Sequence, residues 1–354
     1  MRVLVVEYLH AQSEAFRLAS DSMRREGRAM LDSFVEDARS IDGVKTTTAL
    51  CSGAAEVALK NDSVIEVRDG PEFDFAEDLL AACEDFHFDR VFIIAPESGG
   101  ILSQVVRRVR HSGMDVSAPS LQAIALCADK LATHQFLQRL RIPCIPTHPL
   151  NELAQLDLDS INQLVVKSRD GAGCETIVRL HASDLQTQLI RIGKVEADSH
   201  QEMPQYLSSP LDYLVQPFIA GDSYSVGLVG RGPGTKPLVL PVATQTIEWS
   251  DGTPSYRGGS IPTADALLEG SQLQEIAAAI AEALKIEHGY VGIDFLCCQD
   301  TADVLVTEIN PRLCTSYVGY RQATSGNLAE FLLDTRTQTP ITWDQTPVKF
   351  DVQG

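Results

Sequence analysis

Residues 291–312 read VGIDFLCCQDTADVLVTEINPR and contain two apolar runs separated by a polar segment. The polar residues 299–303 predict a turn that joins two β-strands into a hairpin. Side chains alternate between the two faces of a strand. Glu308 and Asn310 therefore lie on one face, and the partner strand of the hairpin can bring Asp294 beside them.

Two carboxylates and an amide on one sheet face form a site that offers only oxygen ligands. Mg²⁺ prefers such ligands, and it binds one or two carboxylates while water and nucleotide phosphates complete its octahedron. Asp294, Glu308 and Asn310 are therefore the predicted metal ligands. The alternative is a solvated sheet face with ordinary acidic residues.

Arg312 follows this group directly, and Pro311 fixes the backbone direction before it. A guanidinium beside a metal–phosphate site can bind a phosphoryl group during transfer, or the negative charge of an acyl-transfer intermediate. The sequence equally allows an ordinary ion pair between Arg312 and Glu308.

A glycine-containing turn follows another predicted strand. Lys167 ends that strand, and residues 168–173 read SRDGAG. Such a turn can present the backbone N–H groups near Gly171 and Gly173 to phosphate oxygens, while the lysine supplies a positive charge. A second lysine, Lys130, opens a predicted helix earlier in the chain. The alternative for the turn is a simple hairpin.

A predicted strand at residues 213–218 runs into the sequence IAGD at residues 219–222. An apolar hinge of this kind can hold an adenine, with backbone groups that bind the edge of the base. Asp222 would then reach the ribose hydroxyls. A strand end followed by an ordinary turn is the alternative.

The beginning of the chain alternates strands with helices. Residues 2–8 and 90–95 are predicted strands, and residues 20–40 and 101–109 have apolar side chains at helical spacing. This alternation indicates a parallel sheet in an α/β domain that ends near Ala118. Ligands of such domains bind at the loops that follow the strands.

The central region changes to short β-rich runs, which indicates an α+β arrangement. Residues 250–259 read SDGTPSYRGG and predict a loop, because turn-forming residues dominate them. A helix is predicted from Ser271 to Leu284, before the hairpin described above.

The composition limits the function classes. A net charge of −19 over 354 residues repels a phosphate backbone, so small molecules are expected as partners rather than nucleic acid. No apolar run is long enough to span a bilayer, so we expect a cytoplasmic protein without membrane contact. The first strand lacks a G-x-G-x-x-G turn, which excludes a Rossmann dehydrogenase.

The order of five segments resembles the ATP-grasp superfamily along nearly the whole chain. These segments are Asp129-Lys130, Val165–Lys167, Gln216–Ile219, Gly292–Phe295 and Glu308–Arg312. The resemblance implies an ATP-grasp fold: an N-terminal α/β domain with a parallel sheet at residues 1–118, followed by an ATP-grasp domain at residues 119–354. Within that domain it implies a small α+β lid at about residues 145–220 and an antiparallel C-terminal subdomain at residues 221–340.

The resemblance also implies residue roles. Lys130 and Lys167 would contact the phosphates of ATP, the hinge with Gln216, Phe218 and Ile219 would hold adenine, and Mg²⁺, for which Mn²⁺ can substitute, would bind the predicted metal ligands. Arg312 and Lys167 would be the catalytic groups of a ligase that activates a carboxylate as an acyl phosphate for attack by an amine. The family commonly has a glutamate where Gln216 stands.

A further likeness is to the subfamily that contains the tyramine–glutamate ligase of methanofuran biosynthesis. It involves residues 3–8, 25–30, 95–97, 256–259 and 310–317. It implies glutamate and tyramine as substrates, with Arg257, Arg312 and Ser316 near the acid. An ATP-grasp ligase for another amino acid or peptide, and a non-catalytic ATP-binding regulatory protein, are the alternatives. The sequence does not determine the oligomeric state, and a homodimer is one of the alternatives.

Overall fold

The computed structural model describes residues 1–57, 63–70, 74–155, 161–171, 177–185, 187, 209–261, 270–335, 338–344 and 346–351. These ranges contain three β-sheets, of which one is parallel and two are antiparallel. Among the helices of these ranges, none combines the length and the apolar content needed to cross a membrane.

The N-terminal sheet is parallel and has five strands in the order β3-β2-β1-β4-β5. The strands are β1 (Arg2–Glu7), β2 (Lys45–Cys51), β3 (Ser63–Val67), β4 (Arg90–Ile94) and β5 (Asp115–Ser117). The central residues of β1 are fully buried because helices cover both sheet faces, and this explains the continuous apolar run at the start of the chain. The order of the strands reverses between β1 and β4, where ligands of such sheets bind.

In the described part of this region, five α-helices accompany the sheet. They are α1 (Tyr8–Ala11), α2 (Ser13–Leu18), α3 (Asp21–Arg39), α4 (Phe75–Ala82) and α5 (Ile101–His111). The side chain of Ser20 accepts a hydrogen bond from the backbone of Met23 and caps α3. Phe34 of α3 stacks on Phe92 of β4 with ring centroids 3.5 Å apart. The helix predicted over residues 20–40 is therefore confirmed.

Two helices and a four-stranded antiparallel sheet follow. The helices are α6 (Leu121–Ala128) and α7 (Lys130–Arg139). The strands, in the spatial order β6-β9-β7-β8, are β6 (His148–Pro149), β7 (Gln163–Ser168), β8 (Ile177–His181) and β9 (Tyr213–Pro217). We call this sheet the lid sheet. Gly173 of the predicted phosphate turn lies outside the described residues.

The last sheet is antiparallel, with the order β14-β13-β10-β11-β12-β15. Its strands are β10 (Gly221–Val229), β11 (Leu238–Ser250), β12 (Thr253–Ile261), β13 (Tyr290–Cys298), β14 (Val304–Asn310) and β15 (Val348–Phe350). The helices beside it are α8 (Gly270–Leu284), α9 (Ser316–Gln322) and α10 (Leu328–Leu332). The predicted hairpin of the two strands around residues 299–303 is confirmed.

The loop predicted at residues 250–259 is wrong. Strand β11 continues to Ser250, and β12 begins at Thr253. Asp251 and Gly252 form the connection with φ values of 50° and 78°, as a two-residue hairpin turn requires. Gly258 and Gly259, which suggested a loop, lie inside β12. Position 259 requires glycine, because a Cβ atom there would collide with the carbonyl oxygen of Thr244 on the neighbouring strand.

One apolar cluster connects the N-terminal sheet to the antiparallel C-terminal sheet. It includes Phe34 and Phe92 together with Tyr290 and Tyr317. The hydroxyl of Tyr317 donates to Asp37 of α3 at 2.7 Å. This contact fixes α3 against the C-terminal sheet, so residues of the first 118 can reach a site that is built mainly by the rest of the chain.

Candidate functional site

A cavity of about 800 Å³ lies between the lid sheet and the C-terminal sheet. Strand β13 runs along it, and Leu296, Asp294 and Gly292 line it in turn. Leu296 is on the side of the hinge at residues 216–222. Gly292 is at the other side, where a Cβ atom would contact the sulfur of Cys314. The cavity therefore has a hinge end, a middle at Asp294, and an inner end near residues 314–316.

The three predicted metal ligands come together in the middle of this cavity. Asp294 pairs with Glu308 across the β13–β14 hairpin, and Gly292 pairs with Asn310. The amide nitrogen of Asn310 donates to Oδ2 of Asp294 at 2.8 Å, and Gln245 of β11 donates to Oδ1 at 2.9 Å. Gln245 was not predicted from the sequence, because only the register of β11 brings it to this face.

The charged side chains of this group shift one another's pKa values. Burial raises the pKa of Asp294 to about 7, the charge of Glu308 adds to the rise, and the hydrogen bonds from Gln245 and Asn310 oppose it. Burial would also raise the pKa of Glu308, but Lys130 and Lys167 outweigh it, and this pKa is lowered. Lys130 Nζ lies 2.7 Å from Glu308 Oε1.

The donor set fits a magnesium ion that shares its coordination with phosphates and water. Among the described residues, no group of three or more His, Cys, Asp or Glu side chains is placed to hold a metal ion. Asp294 and Glu308 supply two carboxylates, and Asn310 adds an amide oxygen. Mg²⁺ typically uses one or two carboxylates in a nucleotide site. Burial raises the pKa of Asp294 most, and a divalent cation would offset the repulsion from Glu308 that adds to this rise.

Two lysines from different elements reach the same group. Lys167, at the end of β7, is 7% exposed. Burial lowers its pKa to about 8, with Glu308 opposing and Lys130 adding to the drop. Lys130 begins α7 directly after the capping residue Asp129, and its Nζ also donates to the carbonyl oxygen of Gly171. The structure therefore places both lysines and the described part of the predicted phosphate turn together.

The hinge lines the opposite end of the cavity. Gln216 is buried, and its Nε2 donates to Thr147 at 2.7 Å. Phe218, Ile219 and Asp222 also line the cavity. Where the lid sheet meets the tip of the β11–β12 hairpin, the guanidinium carbon of Arg179 lies 4.6 Å from the ring centre of Phe218 and 4.8 Å from that of Trp249.

Arg312 pairs with a residue that was not predicted from the sequence. Its Nε donates to Oε2 of Glu97 at 2.8 Å, and Glu97 is only 2% exposed. Burial would lower the pKa of Arg312, but Glu97 raises it well above its usual value. The ion pair found here is therefore with Glu97 and not with Glu308. Glu97 lies three residues after the end of β4, and that position in the loop after a strand of the parallel sheet was the available signal.

The two other predicted substrate residues have different surroundings. Ser316 is buried, lines the cavity, and lies 3.5 Å from the hydroxyl of Tyr290. Arg257 lies on β12, is exposed, and its Nε donates to Glu248 at 2.8 Å. Its neighbour Tyr256 lines the cavity and Arg257 does not, because successive side chains of a strand point to opposite faces. The structure thus brings Ser316 to the cavity but not Arg257.

The chain combines a parallel N-terminal sheet, a lid sheet and an antiparallel C-terminal sheet, and lysines and carboxylates lie together in the cavity between the last two. This combination is typical of nucleotide-binding enzymes. Residues 127–316 match the ATP-grasp domain family, and the chain belongs to this family. A D-alanine--D-alanine ligase of Pseudomonas entomophila (strain L48) is 28% identical over 197 residues, which cover 54% of this chain and 56% of the ligase. The match thus spans about half the length of that curated relative.

Solved structures share the fold. An ATP-grasp superfamily protein from Archaeoglobus fulgidus superposes with a TM-score of 0.65 at 18% identity and covers 99% of this chain and 100% of its own. Biotin carboxylase from Campylobacter jejuni, in a β,γ-ATP complex, gives 0.68 at 15% identity, over 96% of this chain and 73% of its own. N5-carboxyaminoimidazole synthetase from Staphylococcus aureus, complexed with ADP, gives 0.63 at 14% identity, over 98% and 80%.

Proposed function

We propose that this protein is an ATP-dependent carboxylate–amine ligase that forms an amide, ADP and phosphate through an acyl phosphate. The observation that carries the proposal is the cluster of Lys130, Lys167 and Arg312 around Asp294 and Glu308 in the middle of the cavity. Phosphoryl transfer is catalysed mainly by positioning and by charge stabilisation, and this cluster offers both.

ATP would occupy the hinge end and reach the middle of the cavity. The hinge at residues 216–219 would hold the adenine, and Asp222 would bind the ribose. Lys130, Lys167 and the turn that contains Gly171 would contact the phosphates. The family membership of residues 127–316 supports this arrangement.

Asp294, Glu308 and Asn310 would hold Mg²⁺, for which Mn²⁺ can substitute. When bound, the ion supplies positive charge to the phosphate oxygens. Lys130 now pairs with Glu308. A metal ion at Glu308 would leave this lysine available to a phosphate oxygen.

The remaining chemistry needs no nucleophile from the protein. A carboxylate oxygen of the acid attacks the terminal phosphorus of ATP, and the bond from this phosphorus to ADP breaks. The amine nitrogen then forms a bond to the acyl carbon, phosphate leaves with the oxygen between carbon and phosphorus, and the amine loses a proton. Arg312 is held in the cavity by Glu97 and would stabilise the negative charge that develops at the acyl group.

The substrates themselves form a finer proposal. Glutamate as the acid and tyramine as the amine, in methanofuran-type cofactor biosynthesis, are supported by the sequence likeness described above. D-alanine is a second candidate, because a D-alanine--D-alanine ligase is similar to this chain. Arg312 and Ser316 would contact the acid, and their place in the cavity lining supports this assignment.

Trapping of the acyl phosphate tests the ligase proposal. The purified protein would be incubated with ATP, Mg²⁺, hydroxylamine and one amino acid at a time, with glutamate and D-alanine first. We expect ADP release and an equal amount of amino-acid hydroxamate with the correct acid, and faster ADP release when the correct amine replaces hydroxylamine. Binding of ATP without hydroxamate from any acid would instead support a non-catalytic ATP-binding protein.

A further inference from the structure

The inner end of the cavity carries a carboxylate that the proposed reaction has not used. Among the described residues, four acidic side chains line the cavity: Glu26, Asp222, Asp294 and Glu308. Asp294 and Glu308 belong to the proposed magnesium site, and Asp222 lies at the hinge end. Glu26, on α3, enters from the N-terminal domain together with Met30.

Tyr256 connects this carboxylate to the middle of the cavity. It is a lining residue, and burial raises its pKa, with Asp294 and Glu26 both adding to the rise and Thr315 opposing it. Tyr256 is therefore within electrostatic range of both carboxylates. Met30, one turn after Glu26 on α3, packs in the same apolar cluster as Tyr256 and Cys314, so Glu26 enters the cavity near its inner end, where the acyl group of an activated acid would meet its acceptor.

The position of Glu26 is fixed by the packing of its helix. The next residue, Gly27, is buried, and a Cβ atom there would lie 2.8 Å from the carboxyl carbon of Glu7 at the end of β1. Glycine at this position therefore allows α3 to lie close to the end of the strand. Ser22, one turn earlier, donates to Oε1 of Glu26 at 3.3 Å. The carboxylate therefore projects from a rigid helix rather than from a loop.

We propose that Glu26 binds the acceptor amine in its ammonium form, with Met30 and Tyr256 in contact with an apolar or aromatic body of the same molecule. The inference rests on the proposed ligase function. Primary amines are protonated near neutral pH, and a carboxylate binds an alkylammonium through charge-assisted hydrogen bonds. Among the described residues, the cations that line the cavity are Lys167 and Arg312, and the proposed reaction assigns them to the phosphate and acyl groups.

A binding experiment on the full chain tests this site without turnover. Calorimetry would measure three amines (tyramine, phenethylamine and n-butylamine) and the three alcohols that carry hydroxyl in place of the amino group, all with Mg²⁺ and ADP present. We expect at least one amine to bind roughly ten- to hundredfold more tightly than its alcohol, which is the scale of one charge-assisted hydrogen bond.

Three variants make the experiment specific. Glu26→Gln should remove the preference for the amine, and Glu26→Asp should keep part of it because the charge remains. Glu36→Gln is the matched control: it makes the same change on the same helix, but Glu36 lies 3.0 Å from Arg321 and does not line the cavity. A preference that persists in Glu26→Gln, or that wild type does not show for any of the three amines, overturns the proposal.

Kinetics separate this inference from the ligase proposal. Hydroxylamine is largely uncharged near neutral pH, so Glu26→Gln should raise the KM of the amine about tenfold or more relative to the KM of hydroxylamine. Hydroxamate formation together with equal amine binding by wild type and Glu26→Gln would reject the amine site alone. Charge-dependent amine binding without any hydroxamate would reject the ligase reaction alone.

Discussion

Glu97 holds the guanidinium of Arg312 through a hydrogen bond of 2.8 Å that connects the N-terminal sheet to the cavity. Two residues later, the backbone N–H of Gly99 donates to Asp170 of the predicted phosphate turn at 3.0 Å. Residues 97–99 therefore contact both the C-terminal sheet region and the turn that follows β7. This segment places the N-terminal domain next to the group that would stabilise the acyl transfer.

Glu97→Gln should slow turnover without weakening nucleotide binding. Glutamine keeps an oxygen that accepts the hydrogen bond from Arg312 but loses the negative charge. The interaction that holds Arg312 in position is therefore weakened by about 1–2 kcal/mol. We expect kcat to fall about tenfold, while the KM for ATP stays within about twofold. Steady-state ADP release at saturating acid and amine measures both quantities.

Asp37→Asn is the control for Glu97→Gln. Asp37 also connects the N-terminal domain to a C-terminal arginine, because Nε of Arg321 donates to it at 2.8 Å, but it does not line the cavity. A general loosening of the domains would lower kcat in both variants. An equal loss in Asp37→Asn would therefore show that Glu97 has only a structural role.

Glu308→Gln should remove magnesium-dependent activity and leave the fold intact. The change keeps the shape of the side chain but removes one of the two carboxylates of the proposed magnesium site. Lys130 also loses its ion pair. We expect ADP release to fall about a hundredfold or more, with an unchanged far-ultraviolet circular dichroism spectrum. Asp300→Asn, in the exposed turn of the same hairpin, should retain wild-type activity. Full ADP release by folded Glu308→Gln would remove the metal assignment.

The site was predictable where its residues are close in sequence. The alternation in residues 291–312 placed Asp294, Glu308 and Asn310 on one sheet face, and the pairing of Asp294 with Glu308 confirms that geometry. Lys130 follows a residue that caps a helix, which is also a local signal. Local patterns decide such features because strand period and helix caps involve only neighbouring residues.

The rest of the site depends on contacts between distant segments. Glu97 meets Arg312 across 215 positions of the chain, and Gln245 reaches Asp294 across 49. Glu26 enters the cavity only because α3 packs against the C-terminal sheet. The register and packing that create these contacts cannot be read from one segment, whereas the Asp251-Gly252 pair did carry a hairpin signal that the loop prediction overlooked.

Lys167 should make ATP binding depend on pH. Burial lowers its pKa to about 8, with Lys130 contributing, so the free lysine is mainly uncharged above that pH. Bound phosphates favour the charged form and raise the pKa again. ATP binding should therefore take up a proton when the pH is above about 8, and affinity should fall as the pH rises through this range. Calorimetry in two buffers of different ionisation enthalpy measures the uptake.

Lys167→Met is the matched variant for this pH effect. It should weaken ATP binding by about 1–3 kcal/mol below pH 8, the scale of a charge-assisted hydrogen bond and its unpaired partner. It should also remove the proton uptake at higher pH. Unchanged ATP affinity in this variant would mean that the turn after β7 does not bind phosphate.

Two arginines allow a direct test of where the acid binds. Arg312→Lys replaces a guanidinium that Glu97 holds in the cavity, and lysine cannot offer the same fork of donors to an acyl group. We expect kcat to fall about a hundredfold or more, as for the loss of one transition-state donor. Arg257→Lys should change every constant by less than about twofold, because its exposed pair with Glu248 contributes little and lies outside the cavity lining. Steady-state kinetics with varied concentrations of the acid measure these constants. A KM for the acid that rises in Arg257→Lys but not in Arg312→Lys would show that the acid binds near Arg257 on β12 and not near Arg312.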